Sequence, residues 1–99
     1  MEAKNSPGKL LPKTKIENLV LECNKIAMQK LQNTDFSETI ILLKKSEKIL
    51  INELLKKETK RTYTILGITL NNIGCYYKKD NKPNVALKYL KKALEIECY

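Results

Sequence analysis

The chain has 99 residues, of which 42% are hydrophobic, and it carries a formal net charge of +8. A chain of this length forms at most one small domain, since it buries only a modest amount of apolar surface. It contains no apolar run of about eighteen residues, so neither a membrane span nor a signal peptide is indicated, and we expect a cytoplasmic protein without a membrane partner.

The positive charge comes almost entirely from lysine. Arg61 is the only arginine among the 19 basic side chains. Bidentate contacts to phosphates and base edges favour arginine, so the composition argues against a specific nucleic-acid site. The lysines are explained by a solvated surface, while weak, salt-sensitive binding to nucleic acid and an acidic protein partner stay open.

The sequence shows no set of side chains typical of catalysis or metal binding. It has no histidine, and its three cysteines, Cys23, Cys75 and Cys98, lie far apart within helical patterns. A disulfide framework, a zinc site and a phosphate-binding glycine loop are not predicted, and we expect neither enzymatic activity nor a cofactor. Cys75 lies near Lys78 and Lys79, which would favour a thiolate, but a helical cysteine of this kind more often serves as inert packing.

Residues 1–13 precede the first helical pattern. They contain Pro7, Gly8 and Pro12 together with three lysines, and they show no apolar stripe. This composition predicts a flexible basic segment, followed by a folded domain over residues 14–99.

Two capping boxes predict the first two helices. Thr14 with Glu17, and Asp35 with Glu38, have the spacing at which an N-cap side chain and a later glutamate satisfy free backbone N–H groups. Apolar residues at three- and four-residue steps follow each box and predict helices over 15–33 and 36–57, the stripe of the first being Ile16, Leu19, Val20, Cys23, Ile26 and Ala27.

A second helical hairpin is predicted over residues 60–97. An apolar stripe predicts a helix over 60–79, and Pro83, which the first helical turn tolerates, opens another helix over 83–97. Gly74 lies inside the third helix, where glycine costs about 1 kcal/mol relative to alanine. A close approach of the two helices at Gly74 would offset this cost.

Small and large residues recur in this second hairpin at the positions Leu70, Ile73, Gly74, Tyr77, Ala86, Leu90 and Ala93, within and between the stretches TLNNIGCYY and LKKALEIE. This spacing resembles the tetratricopeptide repeat, in the style of the kinesin light chains. The resemblance implies an all-α fold of four antiparallel helices, stacked as two hairpins over 15–57 and 60–97 in a fragment of an α-solenoid. The first hairpin carries the pattern at Cys23, Ile26, Ala27, Phe36, Thr39, Leu43 and Ser46.

The first hairpin departs from the family pattern in two residues and in its spacing. Lys30 stands where the repeat has tyrosine, and Thr34 stands where its turn has glycine. Gly74 follows the corresponding Ala27 by 47 residues, which is about 13 more than the simple period. We therefore expect helices longer than those of an ordinary repeat.

The resemblance also implies a peptide-binding groove on the concave surface made by the first helix of each repeat. The implied residues are Asn24, Lys25, Met28 and Gln32 from the first unit, and Asn71, Asn72, Cys75, Lys78 and Lys79 from the second. Asparagine amides would bond to an extended peptide backbone, and lysines would favour an acidic peptide. The two adjacent asparagines are equally explained as the solvated face of an amphipathic helix. The lysine–asparagine pair with which chaperone-binding members hold a terminal carboxylate has no counterpart, because Asn24 stands with Met28 and Asn71 stands with Cys75.

The outer stripe of the last helix, comprising Leu87, Leu94, Ile96 and Tyr99, is predicted to lack a covering helix. In the family this stripe packs on the next repeat, so we expect a homo-oligomer or a chain that is stable only with a partner. Two functions follow. One is a scaffold or adaptor that binds a protein or peptide, and the other is an assembly subunit of a cytoskeletal or ciliary complex that self-associates through its last helix.

Overall fold

In the computed structural model the described residues are 13–97, and they fold into four α-helices. The helices are α1 (Lys13–Gln32), α2 (Phe36–Lys56), α3 (Lys60–Lys79) and α4 (Pro83–Glu97). No strand occurs within residues 13–97. The predicted all-α class is confirmed, and the predicted helix bounds agree with those observed to within two residues. The predicted flexible segment lies outside the described residues except for Lys13, which belongs to α1.

The third helix, α3, lies at the centre of the arrangement. α1 packs against α2, and α3 packs against α4, while α1 and α2 both pack against α3. The buried residues of α3 accordingly extend from Thr62 to Tyr76, whereas those of α4 are Ala86 and Ala93. The apolar side chains with no solvent exposure are Val20, Ala27, Leu43, Leu50, Ile65 and Ile73.

The second hairpin repeats the first after 47 residues. α1 and α3 begin 47 residues apart and end 47 residues apart, and α2 and α4 also begin 47 residues apart. Residues 43–45 of α2 read Leu-Lys-Lys, and so do residues 90–92 of α4. The described chain is therefore one kind of helical hairpin present twice, with a shorter last helix.

The turn between α1 and α2 is built on a residue in the left-handed conformation. Thr34 has a φ of 60°. Its N–H donates to the Leu31 carbonyl at 3.0 Å, and the Asp35 N–H donates to the Lys30 carbonyl at 2.9 Å. These two bonds form a Schellman motif, which satisfies carbonyl groups at the end of a helix. Threonine is a poor residue for this conformation because its Cβ is branched.

The turn between α3 and α4 makes the same bonds 47 residues later. Asn81 also has a φ of 60°. Its N–H donates to the Lys78 carbonyl at 3.2 Å, and the Lys82 N–H donates to the Tyr77 carbonyl at 2.9 Å. Both hairpins therefore reverse direction by the same backbone path, although asparagine accepts the left-handed conformation more readily than threonine.

Side-chain caps begin α2 and α3. The Oδ1 atom of Asp35 accepts from the Glu38 N–H at 3.3 Å, which confirms the predicted N-cap. The N–H of Asp35 donates to the Lys30 carbonyl of α1, so the Glu38 side chain does not complete a capping box. The predicted cap at Thr14 is wrong, because Thr14 lies within α1. A cap that the sequence analysis missed is Thr59, whose Oγ1 accepts from the Thr62 N–H at 3.2 Å without a following glutamate.

Both helices of the first hairpin contact the second hairpin through side chains. Glu17 of α1 is 7% exposed, and its Oε1 lies 3.5 Å from Nε of Arg61 at the start of α3. Phe36 of α2 meets Tyr76 edge to face, with ring centroids 5.9 Å apart. Polar and aromatic contacts thus accompany the apolar core between the hairpins.

The predicted close contact of α3 and α4 at Gly74 is confirmed. A Cβ atom on Gly74 would lie 2.7 Å from Cγ and Cδ2 of Leu90 and 3.3 Å from the Ala86 carbonyl oxygen. A Cβ atom on Gly67 would meet nothing nearer than 3.8 Å. Packing therefore requires glycine at position 74 and does not require it at position 67.

We expect Gly74→Ala to destabilise the protein by about 1–2 kcal/mol, because Leu90 must move to make room for the new methyl group. Gly67→Ala is the matched control on the same helix, and it should stabilise the protein by up to about 1 kcal/mol through helix propensity. Urea unfolding followed by circular dichroism measures both free energies. Equal effects at the two positions would contradict the close packing at Gly74.

We also expect Thr34→Gly to stabilise the protein by about 1 kcal/mol, because it removes the steric cost of a branched residue at positive φ. Asn81→Gly, at the corresponding turn, should give a smaller gain. Thermal unfolding of both variants compares the two turns directly. A loss of stability on Thr34→Gly would mean that this turn does not hold the left-handed conformation.

Candidate functional site

The first helices of the two hairpins, α1 and α3, carry the residues predicted to bind a peptide. The name α1–α3 face is used for Lys25, Met28, Gln32, Asn71, Asn72, Cys75, Lys78 and Lys79. Met28, Asn72 and Cys75 are half-buried, and the other members are exposed. The exposed side chains of this face are therefore basic or carry amide groups.

Asn24 was predicted to line this face, but it lies beneath it. Only 3% of Asn24 is exposed. Its Nδ2 donates to the Val20 carbonyl and to Thr69 Oγ1, each at 3.0 Å, and its Oδ1 accepts from Asn72 Nδ2 at 2.8 Å. Thr69 Oγ1 in turn donates a hydrogen bond to the Ile65 carbonyl at 3.0 Å. Asn24 therefore joins α1 to α3 and does not line the groove.

The orientation of both amides follows from these bonds. The Val20 carbonyl can only accept, so the nitrogen of Asn24 must point towards it. The oxygen of Asn24 must then face Asn72, which is forced to donate. This donation uses one hydrogen of the half-buried Asn72 and fixes the side chain at the edge of the α1–α3 face.

The end of α3 contributes a basic cavity to this face. Cys75, Lys78 and Lys79 line an open cavity of about 320 Å³. The two lysines follow the cysteine by three and four residues, so all three side chains emerge on one side of the helix. Two ammonium groups beside a cavity of this size favour an acidic side chain as a ligand.

A second basic cavity lies beside α4, and the sequence analysis missed it. Val85, Lys88, Tyr89 and Lys92 line an open cavity of about 310 Å³. These residues share one side of α4 at three- and four-residue steps. The name α4 cavity is used for it below.

Lys44 of α2 adds a charge next to the α4 cavity. Its Nζ donates to Tyr89 Oη and lies 3.4 Å from Glu47 Oε1. Partial burial acts to lower the pKa of Lys44, but the Tyr89 hydrogen bond and the Glu47 charge outweigh it and raise that pKa above its ordinary value. Tyr89 in turn stacks on Tyr77, with ring centroids 5.6 Å apart. Lys44 is therefore charged at neutral pH and held in place by α4.

The predicted outer stripe of α4 is only partly on the surface. Leu87 and Leu94 are 56% and 65% exposed. Ile96 is half-buried, and its Cγ2 lies 3.8 Å from where a Cβ of Gly67 would be. Residues two apart on a helix point in different directions, so Ile96 packs towards α3 while Leu94 faces outwards. Tyr99 lies outside the described residues.

α1 also exposes apolar side chains that were predicted to be part of its packing stripe. Leu19 and Ile26 are 49% and 37% exposed, whereas Val20 and Ala27, the next residues along, are fully buried. The predicted stripe is wider than the side of α1 that α2 and α3 cover. An apolar strip is therefore left on each outer helix, one on α1 and one on α4.

We expect Asn24→Ala to destabilise the protein by about 1–3 kcal/mol, because it leaves buried polar partners on α1 and α3 unsatisfied. Asn71→Ala is the matched control, since Asn71 occupies the corresponding position 47 residues later and is exposed. Its effect should be within about 0.5 kcal/mol of zero. Urea unfolding of the two variants makes the comparison, and similar effects would contradict the bridging role of Asn24.

Within residues 13–97, no helix is long and apolar enough to cross a membrane. The same residues contain no group of three histidine, cysteine, aspartate or glutamate side chains that could hold a metal ion. Comparisons with protein-family models, with curated proteins and with solved structures found no match to this chain.

Proposed function

We propose that this chain is a cytoplasmic scaffold or adaptor, built from two tetratricopeptide-like hairpins, that acts by binding an acidic peptide on its α1–α3 face. The cavity lined by Cys75, Lys78 and Lys79 is the observation that carries the proposal. It combines two exposed ammonium groups with the half-buried Cys75, and the half-buried Asn72 lies one turn before it on the same helix. The chain would act by binding and not by catalysis.

Support for the tetratricopeptide-like arrangement comes from the helix crossings within each hairpin. In the second hairpin Gly74 and Ala86 bring the backbones together. The residues at the same two positions in the first hairpin are Ala27 and Thr39. Thr39 Oγ1 donates to the Asp35 carbonyl of its own helix at 2.7 Å and lies 3.2 Å from the Ala27 carbonyl oxygen of α1. Small residues at matched crossings are what the repeat pattern uses to bring its two helices into contact.

The binding mode follows from the chemistry of the face. Asparagine amides both donate and accept, so Asn71 and Asn72 suit the N–H and carbonyl groups of an extended backbone. Lys25, Lys78 and Lys79 are exposed and would attract aspartate or glutamate side chains. Because these charges are exposed, salt should weaken the binding.

The test is a titration of a fluorescent decapeptide rich in aspartate and glutamate, followed by anisotropy. We expect the double variant Lys78→Glu and Lys79→Glu to weaken binding by at least about tenfold. The matched control is Lys91→Glu with Lys92→Glu on α4, which changes the net charge equally at exposed positions away from the α1–α3 face. A greater loss in the control would contradict the proposed face and point to the α4 cavity.

Amidation of the C-terminus of the same peptide should leave its affinity unchanged. The face pairs its asparagines with no lysine at the position that would hold a terminal carboxylate, so recognition should rest on internal acidic residues. A strong loss of binding on amidation would contradict this mode.

The exposure of Leu87 and Leu94 favours a second candidate function, that of an assembly subunit in a cytoskeletal or ciliary complex. Two leucines seven residues apart lie on one side of α4, and exposed apolar surface of this kind marks contact sites. In this function the outer side of α4 binds a neighbouring subunit and no peptide is needed. The oligomeric state of the purified chain separates the two functions.

A further inference from the structure

The two hairpins make two successive units of a stack, and within residues 13–97 α1 and α4 each leave an apolar strip exposed. The name α4 strip is used for Leu87 and Leu94, and the name α1 strip for Leu19 and Ile26. The two members of each strip are separated by seven residues, close to two helical turns, so each strip lies on one side of its helix.

The 47-residue repeat relates the α1 strip to two positions of α3, and their surroundings indicate which kind of surface the strip is suited to contact. The residues 47 positions after Leu19 and Ile26 are Leu66 and Ile73 of α3, which are 6% and 0% exposed. α3 has the first hairpin on one side and α4 on another, and it buries these side chains. Within residues 13–97, α1 exposes the same pair of apolar residues, and no hairpin packs on them there.

The 47-residue repeat also relates the α4 strip to two positions of α2. The residues 47 positions before Leu87 and Leu94 are Ile40 and Glu47 of α2. Ile40 packs against the core, and the side chain of Glu47 is 16% exposed. Both positions of α2 are thus half-buried. On α4 the same positions carry leucine and are open.

Polar side chains on α1 and α3 can be compared between the two hairpins by the same 47-residue repeat. Asn24 of α1 bonds to Thr69 and Asn72 of the following hairpin. The second hairpin has Asn71 at the position of Asn24, and Asn71 is exposed. The first hairpin has Glu22 and Lys25 at the positions of Thr69 and Asn72, and both are exposed. An asparagine amide can donate to a carboxylate and accept from an ammonium group, so the two ends are complementary.

We propose that copies of this chain associate head to tail, with the α4 strip of one copy packed on the α1 strip of the next. This inference rests on the assembly function proposed above and names its partner as a second copy. The contact would correspond to the packing of α2 on α3 within a chain. Because it joins two different surfaces, each copy keeps a free surface to which another copy adds, and a row grows unless the rotation between copies closes a ring. Each copy carries a formal charge of +8, so salt should strengthen the association by screening repulsion.

The test is sedimentation velocity on the purified chain and its variants over a wide range of protein concentration. We expect the average mass of the native chain to rise steadily with concentration, beyond that of two copies. Leu94→Lys and Leu19→Lys should each reduce the mass to the 11.4 kDa of one chain. Leu55→Lys is the control, since Leu55 is 81% exposed on α2 and outside both strips, and it should leave the association unchanged. Circular dichroism should show that all three variants keep their helices, since each replaced leucine is at least 49% exposed.

An equimolar mixture of the two strip variants is the decisive sample. Leu94→Lys disrupts the α4 strip of a copy, and Leu19→Lys disrupts the α1 strip. The intact α4 strip of the Leu19→Lys copy can still pack on the intact α1 strip of the Leu94→Lys copy, so the mixture should form pairs that do not grow. Association that survives Leu19→Lys but not Leu94→Lys would mean that α4 pairs with α4, which overturns the head-to-tail inference and leaves the assembly function standing. Two other results would also overturn the inference: a native chain that stays monomeric at every concentration, or loss of association on Leu55→Lys.

Discussion

The buried amide of Asn24 is the interaction on which the relation between the two hairpins depends. Apolar side chains tolerate small shifts of one helix along another, whereas a buried amide is satisfied in one register only. Asn24 meets three partners at once, Val20 in its own helix and Thr69 and Asn72 in α3. It therefore sets which residues of α1 and α3 share a face, and with them the basic surface that we propose to bind a peptide.

Much of the local structure could be predicted from the sequence. The bounds of α3 and α4 match the prediction at every end, because an apolar stripe and Pro83 mark them in the chain itself. The tight crossing at Gly74 was also predictable, since glycine inside a helix costs stability unless packing requires it. Such signals act over a few residues, so one sequence suffices to find them. The start of α1 was misplaced because a capping pattern at Thr14 is a short motif that also occurs inside helices.

The placement of side chains relative to a third helix could not be predicted in the same way. Periodicity identifies the apolar side of a helix, but it does not say which neighbour covers that side or how far. Asn24 was expected at the surface and is covered by α3, and Leu19 was expected in the packing stripe and is 49% exposed. The contact of Lys44 with Tyr89 beside the α4 cavity could not be predicted, because the two residues are 45 apart in sequence. The 47-residue repeat offers the missing signal, since aligning the two hairpins shows which positions face the next unit.

We propose that Asn24 holds the two hairpins in register against each other. The most direct measurement is an NMR observation of the Asn24 side-chain amide, its nuclear Overhauser contacts and its hydrogen exchange. A buried amide that donates to Val20 and Thr69 should show contacts to Thr69 across the hairpin boundary, and its hydrogens should exchange much more slowly than those of the exposed Asn71. Fast exchange at Asn24, equal to that at Asn71, together with no contact to Thr69, would contradict the account.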